Sequence, residues 1–196
     1  MSTRVEFFYD YVSSYSYLAN SQLATLGADE LVYRPVFLGA VMSATGNTPP
    51  ANVPARGKYL RRDLERWATH YGVRFTMNPR FPQNTLGALR LALVALRDGQ
   101  FEPLHQRLFD AMWVEQRDLS DPAVLIELAE AAGLDAKRSM AATGEQEIKD
   151  LLKANTDEAV ARGAFGAPTF FVGDEMFFGN DRLDFVRQAL RDAGGR

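Results

Sequence analysis

Strand-like patterning is confined to the two ends of this chain, and a long helical stretch lies between them. Val5 to Tyr9 (VEFFY) is short, apolar and aromatic, as a buried strand is. Leu31 to Leu38 (LVYRPVFL) reads as a second strand. Pro35 inside it predicts an edge position or a bulge, because proline has no N–H to give a neighbour. Between the two, Ala19, Leu23 and Leu26 recur at the spacing of one helix face, with Gly27 as a stop signal. At the other end, Pro168 to Val172 (PTFFV) and Glu175 to Phe178 (EMFF) flank Gly173-Asp174, a strong hairpin signal. Asp181 stands where an N-cap would open a last helix with Leu183, Val186, Ala189, Leu190 and Ala193 on its face.

The middle differs in texture. Gly39 to Pro54 reads as a loop, with Gly46-Asn47 and Pro49-Pro50 as turn signals. From about Gly57 to Arg162 the period is helical: Leu86, Leu89, Leu93 and Leu96 share a face, as do Leu104, Leu108 and Met112. Val124, Leu128 and Ala132 repeat it, between a start at Asp121-Pro122 and a stop at Gly133. The order is therefore βαβ, a helical block, then ββα, and the βαβ crossover should be right-handed. The chain has 196 residues, enough for one domain carrying a large insertion. No repeat or flexible linker interrupts it. The expected division is a discontinuous α/β domain, 1–56 with 163–196, and a helical insertion, 57–162, docked on its sheet.

Composition removes several chemistries. There is no cysteine, so no disulfide, thiolate zinc site or cysteine nucleophile is available. No metal site is read from the sequence. A net charge of −3 does not point to nucleic acid or a membrane surface as partner. The first residues turn straight into a strand-like run without a secretory pattern, and no window approaches the ~20 apolar residues of a membrane span. The expected location is the cytoplasm.

Three segments carry a more specific signal: Phe8-Tyr9-Asp10-Tyr11-Val12-Ser13-Ser14-Tyr15-Ser16-Tyr17-Leu18-Ala19, then Gly46-Asn47-Thr48-Pro49-Pro50, then Gly163-Ala164-Phe165-Gly166-Ala167-Pro168-Thr169-Phe170 followed by Phe178-Gly179-Asn180-Asp181-Arg182. In this order they resemble the F-x-D-x-x-S-P-[YF]-S-[YW]-L, G-N-x-P-P, G-[VA]-F-G-x-P-T and F-[GW]-[GSN]-[ND]-[DR] segments of the 2-hydroxychromene-2-carboxylate isomerases and kappa-class glutathione transferases. The resemblance implies a thioredoxin-like fold with an all-helical insertion, related to the disulfide oxidases. One position departs from it: Ser14 stands where those families usually carry proline.

Read from spacing alone, Ser13 is an N-cap and Ser14 and Ser16 are turn residues. The resemblance makes Ser13 the catalytic residue, holding the thiolate of bound glutathione. A free thiol has a pKa near 8.5, and lowering it by about two units takes roughly 2.7 kcal/mol. A hydroxyl hydrogen bond to a charged sulfur (~1.5–3 kcal/mol) and a helix terminus (~0.3–1 kcal/mol) together supply that. A serine-protease reading lacks a base in a suitable context, since the only histidines are His70 and His105. A disulfide oxidoreductase would need C-x-x-C where Ser13 and Ser16 stand.

The remaining candidates each have a plain reading and an implied one. Base rates make Ala167–Pro168 an ordinary trans bond; the resemblance implies a cis bond, with Ala167 pairing with glutathione as an added strand would. Asn47 is a turn former, or its amide reaches glutathione or a carboxylate of the second substrate. Arg56 opens a stretch to Arg80 with seven Lys/Arg and two acids, either a solvated helix face or a holder of carboxylates, Arg56 first among them. Asn180 and Asp181 are a helix opening, or they hold the γ-glutamyl end of glutathione. Trp67, Tyr71, Trp113 and the Phe residues are expected in the core or in a pocket wall. Glu115 and Asp118 are expected to cap, with a catalytic part as the alternative.

The implied activity is glutathione-dependent isomerisation of 2-hydroxychromene-2-carboxylate, or a related small aromatic carboxylate, to trans-o-hydroxybenzylidenepyruvate, by a homodimer. The alternatives are a kappa-class glutathione transferase and a non-enzymatic peptide-binding module.

Overall fold

β1 (Arg4–Tyr9) is the central thread of a four-stranded sheet. Its neighbours are β2 (Glu30–Pro35), parallel, and β3 (Thr169–Val172), antiparallel; β4 (Glu175–Phe178) closes the far edge, giving the order β2-β1-β3-β4. The computed structural model describes residues 2–195, and of Ala51 only the backbone; Met1 and Arg196, the outermost residues of the expected α/β segments, lie outside it. From Val5 on, β1 is apolar on both faces apart from Glu6, because both its faces are covered. Val5, Phe7 and Tyr9 enter the main core, while Phe8 joins Val36, Val41, Ala159, Ala164 and Phe171 on the opposite face. Phe7 stacks on Phe170 with ring centroids 5.1 Å apart, and Phe8 meets Phe171 edge-on at 5.3 Å. Pro35 does end an edge strand, as its missing N–H requires.

The first helix is shorter than its periodicity suggests. α1 (Ser14–Asn20) stops early, and Leu23–Thr25 is a separate 3-10 turn, yet Ala19, Leu23 and Leu26 are all buried. The expected strand 31–38 and loop 39–54 need a larger correction. The strand ends at Pro35, and Leu38–Thr45 forms a helix, α2. A distant side chain starts it: Asp10 Oδ2 accepts the Leu38 N–H at 2.9 Å, satisfying a donor that helix termini leave open. Val41 is buried against Phe8, and Gly46, at φ 68°, caps the helix in the left-handed region.

The helical block runs α3 (Pro54–Tyr71), α4 (Leu86–Arg97), α5 (Phe101–Trp113), α6 (Pro122–Ala131), α7 (Ala136–Ala142) and α8 (Gln146–Ala161). α3 begins at Pro54, three residues before the expected Gly57, with proline in the first turn, where its missing N–H costs nothing. The Asp121 cap forms as its sequence implies, Oδ1 accepting from Ala123 N at 2.8 Å. This block builds no core of its own: one buried cluster runs from Val5, Phe7 and Phe170 through Leu89, Leu104 and Trp113. α8 is fastened to the other face of the sheet by Glu6, whose carboxylate receives Arg34 at 3.0 Å and Arg162 at 2.6 Å. Burial pushes the Glu6 carboxyl up, but hydrogen bonds and charges from Arg162 and Arg34 outweigh it and hold it below its ordinary value.

The Gly173-Asp174 hairpin forms as expected. The last helix, α9 (Leu183–Gly194), is not capped by Asp181. Asn180–Arg182 is a 3-10 turn, Arg182 occupies the cap position, and the Asp181 carboxylate pairs with Arg182 at 2.6 Å.

Candidate active site

Where β1 ends, the chain turns back on itself: Ser13 N donates to Asp10 O at 3.0 Å. Asp10 is fully buried under that turn. Its carboxylate accepts from Thr85 Oγ1 at 2.6 Å, Leu38 N at 2.9 Å and Val12 N at 3.1 Å. Burial raises its pKa, and these donors only partly offset the rise. Asp10 therefore pins the Ser13 turn to the starts of α2 and α4.

Ser13 is the N-cap of α1, and its Oγ accepts from Ser16 N at 3.1 Å. The same hydroxyl donates to Ala167 O at 2.9 Å. Ala167–Pro168 is cis, against the base rate and in line with the resemblance. The Ala167 N–H has no backbone partner among the described residues. Ser13 and Ala167 thus meet at the floor of a cleft of about 840 Å³.

Ser13, Asn47, Arg56, Ala167, Pro168, Asn180 and Asp181 all line that cleft. Asn47 reaches it, but its amide is occupied: Nδ2 donates to Phe165 O at 2.8 Å, and Oδ1 accepts from Thr48 N at 2.8 Å. It therefore ties the 46–50 loop to the 163–168 loop and keeps one N–H to spare. Asn180 is buried, and its carbonyl accepts the Tyr71 hydroxyl at 2.8 Å. Asp181 stands at the rim, and a Cβ on Gly179 would fall 2.6 Å from its Oδ1; that glycine has φ 102°. The basic stretch does not face the cleft as a unit. Arg56 lines it, whereas Lys58, Arg61, Arg62 and Arg66 are exposed along α3 and outside the lining.

Sequence reasoning named Arg56 and left Trp67 between core and pocket wall, but passed over Leu60 and Asp63. Arg56, Leu60, Asp63 and Trp67 form one stripe of α3 at i, i+4, i+7 and i+11, and all four line the cleft. Tyr15 bridges from α1 to this stripe, donating to Asp63 Oδ2 at 2.8 Å. Burial, and then Asp63 itself, push the Tyr15 phenol well up, so it stays protonated. Phe81 and Pro82, joined by a second cis bond, close another side with Phe37, Phe165 and Phe178. The stripe was visible as a period and Asp10 lay inside a quoted segment; the Phe81–Pro82 bond had no signal.

Tyr71, Trp113, Glu115, Asp118 and His105 lie outside the cleft lining. Trp113 is buried in the core, its Nε1 donating to Tyr11 O at 2.8 Å. Asp118 accepts from the backbone and hydroxyl of Ser120, as a capping residue does, and Glu115 is exposed. His105 is buried between Tyr11 and Asn20.

Known proteins share this arrangement. A profile of the DsbA-like thioredoxin domain matches residues 4–191. A 2-hydroxychromene-2-carboxylate isomerase of Sphingobium xenophagum is 36% identical over 203 residues, spanning 98% of this chain and 100% of the relative. A glutathione S-transferase kappa 1 of Caenorhabditis elegans is 28% identical, over 96% of this chain and 91% of its own. Among solved structures, a 2-hydroxychromene-2-carboxylate isomerase aligns with a TM-score of 0.87 at 28% identity, covering 97% of this chain and 95% of that one. The chain belongs to the DsbA-like thioredoxin domain family and, within it, to the group of the 2-hydroxychromene-2-carboxylate isomerases and kappa-class glutathione transferases.

Proposed function

We propose that the protein is a glutathione-dependent isomerase acting on 2-hydroxychromene-2-carboxylate or a closely related small aromatic carboxylate. The observation that carries the reading is the meeting of Ser13 Oγ with Ala167 O, 2.9 Å apart across a cis bond, on the floor of a cleft that also draws in Asn47, Arg56, Asn180 and Asp181. The 36% identity to an isomerase over the whole chain supports the reaction type.

The cleft has the groups a γ-glutamyl tripeptide needs. The free N–H and the carbonyl of Ala167 suit an extended peptide laid alongside as an added strand. Arg56 is the one Lys or Arg among the lining residues, and is the proposed carboxylate clamp. Asp181, with the spare capacity of Asn180, suits an ammonium. When bound, glutathione supplies a thiolate that adds to the conjugated carbon of an enone and leaves again after rotation about the bond made single. Ser13 keeps the sulfur ionised by donating to it, and its Oγ meanwhile still accepts from Ser16 N. The first-turn N–H groups of Ser14 and Tyr15, unpaired with backbone among the described residues, add partial positive charge beside it. The proposed setting is the cytoplasm, and the proposed working unit is a homodimer.

A kappa-type transferase would use the same floor and leave glutathione on the electrophile; the 28% identity to a kappa enzyme supports this second reading. Supplying substoichiometric glutathione separates them. Turnover well beyond one equivalent is expected; consumption of glutathione one-for-one rejects isomerisation. Glutathione-linked turnover left intact in Ser13→Ala would overturn the assignment of Ser13 and turn attention to a plain peptide-binding module.

A further inference from the structure

The Ser13 hydroxyl is already engaged. Its proton goes to Ala167 O and its oxygen takes the Ser16 N–H, so donating to a ligand means giving up the first of these bonds. Ser14 is placed differently. It lines the cleft and is 7% exposed, and its hydroxyl makes no hydrogen bond with any described residue. Its oxygen is not among the fully buried unpartnered atoms, so it opens onto the cleft rather than into the core. Three polar side chains that share the cleft lining are engaged elsewhere. Asp10 holds Thr85, Val12 and Leu38; Tyr15 gives its proton to Asp63; Asn47 is held by Phe165 and Thr48. The Ser14 hydroxyl, open to the cleft, is therefore available to whatever fills it.

We propose that the Ser14 hydroxyl is a second hydrogen-bond donor to the cysteinyl sulfur of glutathione bound beside Ser13. The inference rests on the glutathione reading above and deepens it. The thiol proton leaves to solvent water; both serines stay protonated and donate to the sulfur, and no covalent bond to the protein forms. The two donors divide the task. Ser14 gives its proton without breaking a protein bond. Ser13, on turning its proton to the sulfur, releases Ala167 O to accept an N–H from the tripeptide.

Two variants test this, Ser14→Ala and Ser14→Pro. Both delete the hydroxyl, but only proline stiffens the first helical turn. Proline is tolerated there: Ser14 N has no backbone partner among the described residues, and Ser13 is already extended at φ −83° and ψ 108°. The readouts are the pKa of the bound thiol, from the ultraviolet absorbance of the thiolate, and the affinity for S-methylglutathione, which has no ionisable sulfur. Both variants should raise the bound thiol's pKa by about one unit, from about 6.5 to about 7.5, leaving roughly threefold less thiolate at about pH 7. Affinity for S-methylglutathione should not change. An unchanged pKa in both variants, with the wild type still lowering it, overturns the role of Ser14 and leaves the glutathione reading standing. A rise in Ser14→Ala but not in Ser14→Pro assigns the effect to the turn and also overturns it. A wild-type protein that leaves the thiol at its free value removes both.

Discussion

Between pH 8 and pH 5, acid should destabilise this protein through His105. Its ring lies on Phe101 at 4.5 Å and within 5.0 Å of Tyr9, Tyr33 and Phe109. Nδ1 is 2.9 Å from the Tyr11 hydroxyl, and Nε2 is 2.8 Å from Asn20 Oδ1. Asn20 Oδ1 only accepts, so Nε2 carries the hydrogen and Nδ1 receives that of Tyr11. The ring is neutral, and burial pushes its pKa down to about 3 from an ordinary 6.5. Between those values the unfolded chain binds a proton that the native state refuses. Stability conferred by the neutral ring is complete above 6.5 and declines as pH falls toward 3. From pH 8 to pH 5 the loss is about 2 kcal/mol, and it continues at about 1.4 kcal/mol per unit of pH below that. The figure at pH 5 depends little on the folded value, provided that value stays below about 4.

The assay is urea unfolding of wild type and His105→Gln at pH 8, 6.5 and 5. Glutamine can donate to Asn20 and accept from Tyr11 but does not titrate. The variant should be less stable at pH 8, and the gap should narrow by about 2 kcal/mol at pH 5. Asp10, whose raised pKa acts with the opposite sign, is present in both chains and cancels. A gap that stays constant from pH 8 to pH 5 refutes the reasoning. The result also bears on function: acid loss of activity would then follow unfolding rather than titration of a histidine base.

Three further substitutions have definite expected outcomes. Ser16 is fully buried with an unpartnered Oγ, so Ser16→Ala should stabilise by about 1 kcal/mol in urea or thermal unfolding while leaving glutathione-linked turnover in place. A Cβ on Gly166 would fall 2.8 Å from a ring atom of Phe178, a cleft-wall ring 39% exposed and packed on Phe165. Gly166→Ala should therefore raise KM severalfold, a change worth about 1 kcal/mol, with kcat less affected in steady-state kinetics. Glu6→Gln removes the nearer of the two carboxylates that Arg34 and Arg162 share, leaving them Glu158, and should cost roughly 1 kcal/mol by chemical denaturation at neutral pH. Below pH 4.5 the difference should shrink, as the depressed Glu6 carboxylate is itself protonated.

Legibility in the sequence followed the range of the interactions involved. β1, the 173–174 hairpin and α4 to α6 were readable because their signals are local: a buried apolar run, a two-residue turn and uninterrupted helical periods. α2 was not. It is eight residues long, carries Gly39 in its first turn, and owes its start to the carboxylate of Asp10, 28 residues earlier. The cleft divides in the same way. Residues in short segments next to strand ends were nameable from the pattern they share with known families. Asp63, Trp67 and Phe81 come from helices and connections whose docking is a tertiary matter. The period of α3 marks Leu60, Asp63, Leu64, Trp67 and Ala68 alike as inward; only packing sends Leu64 and Ala68 to the core and Asp63 and Trp67 to the cleft.

The register of the aromatic sheet core decides whether there is a site at all. Ser13 and Ala167 are 154 residues apart and meet because β1 runs out of the sheet where β3 runs in, with Phe8 opposite Thr169. That register is held on both faces at once, by Phe7 on Phe170 and by Phe8 against Phe171. A slip of one residue would send Phe170 to the α8 face, where Arg34 and Arg162 gather around Glu6, and Phe171 into the main core. It would also move Ala167 O about 3.3 Å along the strand, beyond reach of the Ser13 hydroxyl. The distance that matters for chemistry is therefore set by side chains that take no part in it. This separation lets a serine stand where disulfide enzymes of the same fold need a cysteine. The fold's contribution is a cleft floor where the Ser13 hydroxyl and the Ala167 carbonyl meet. In a chain without cysteine, the thiol of the proposed reaction has to come with a ligand.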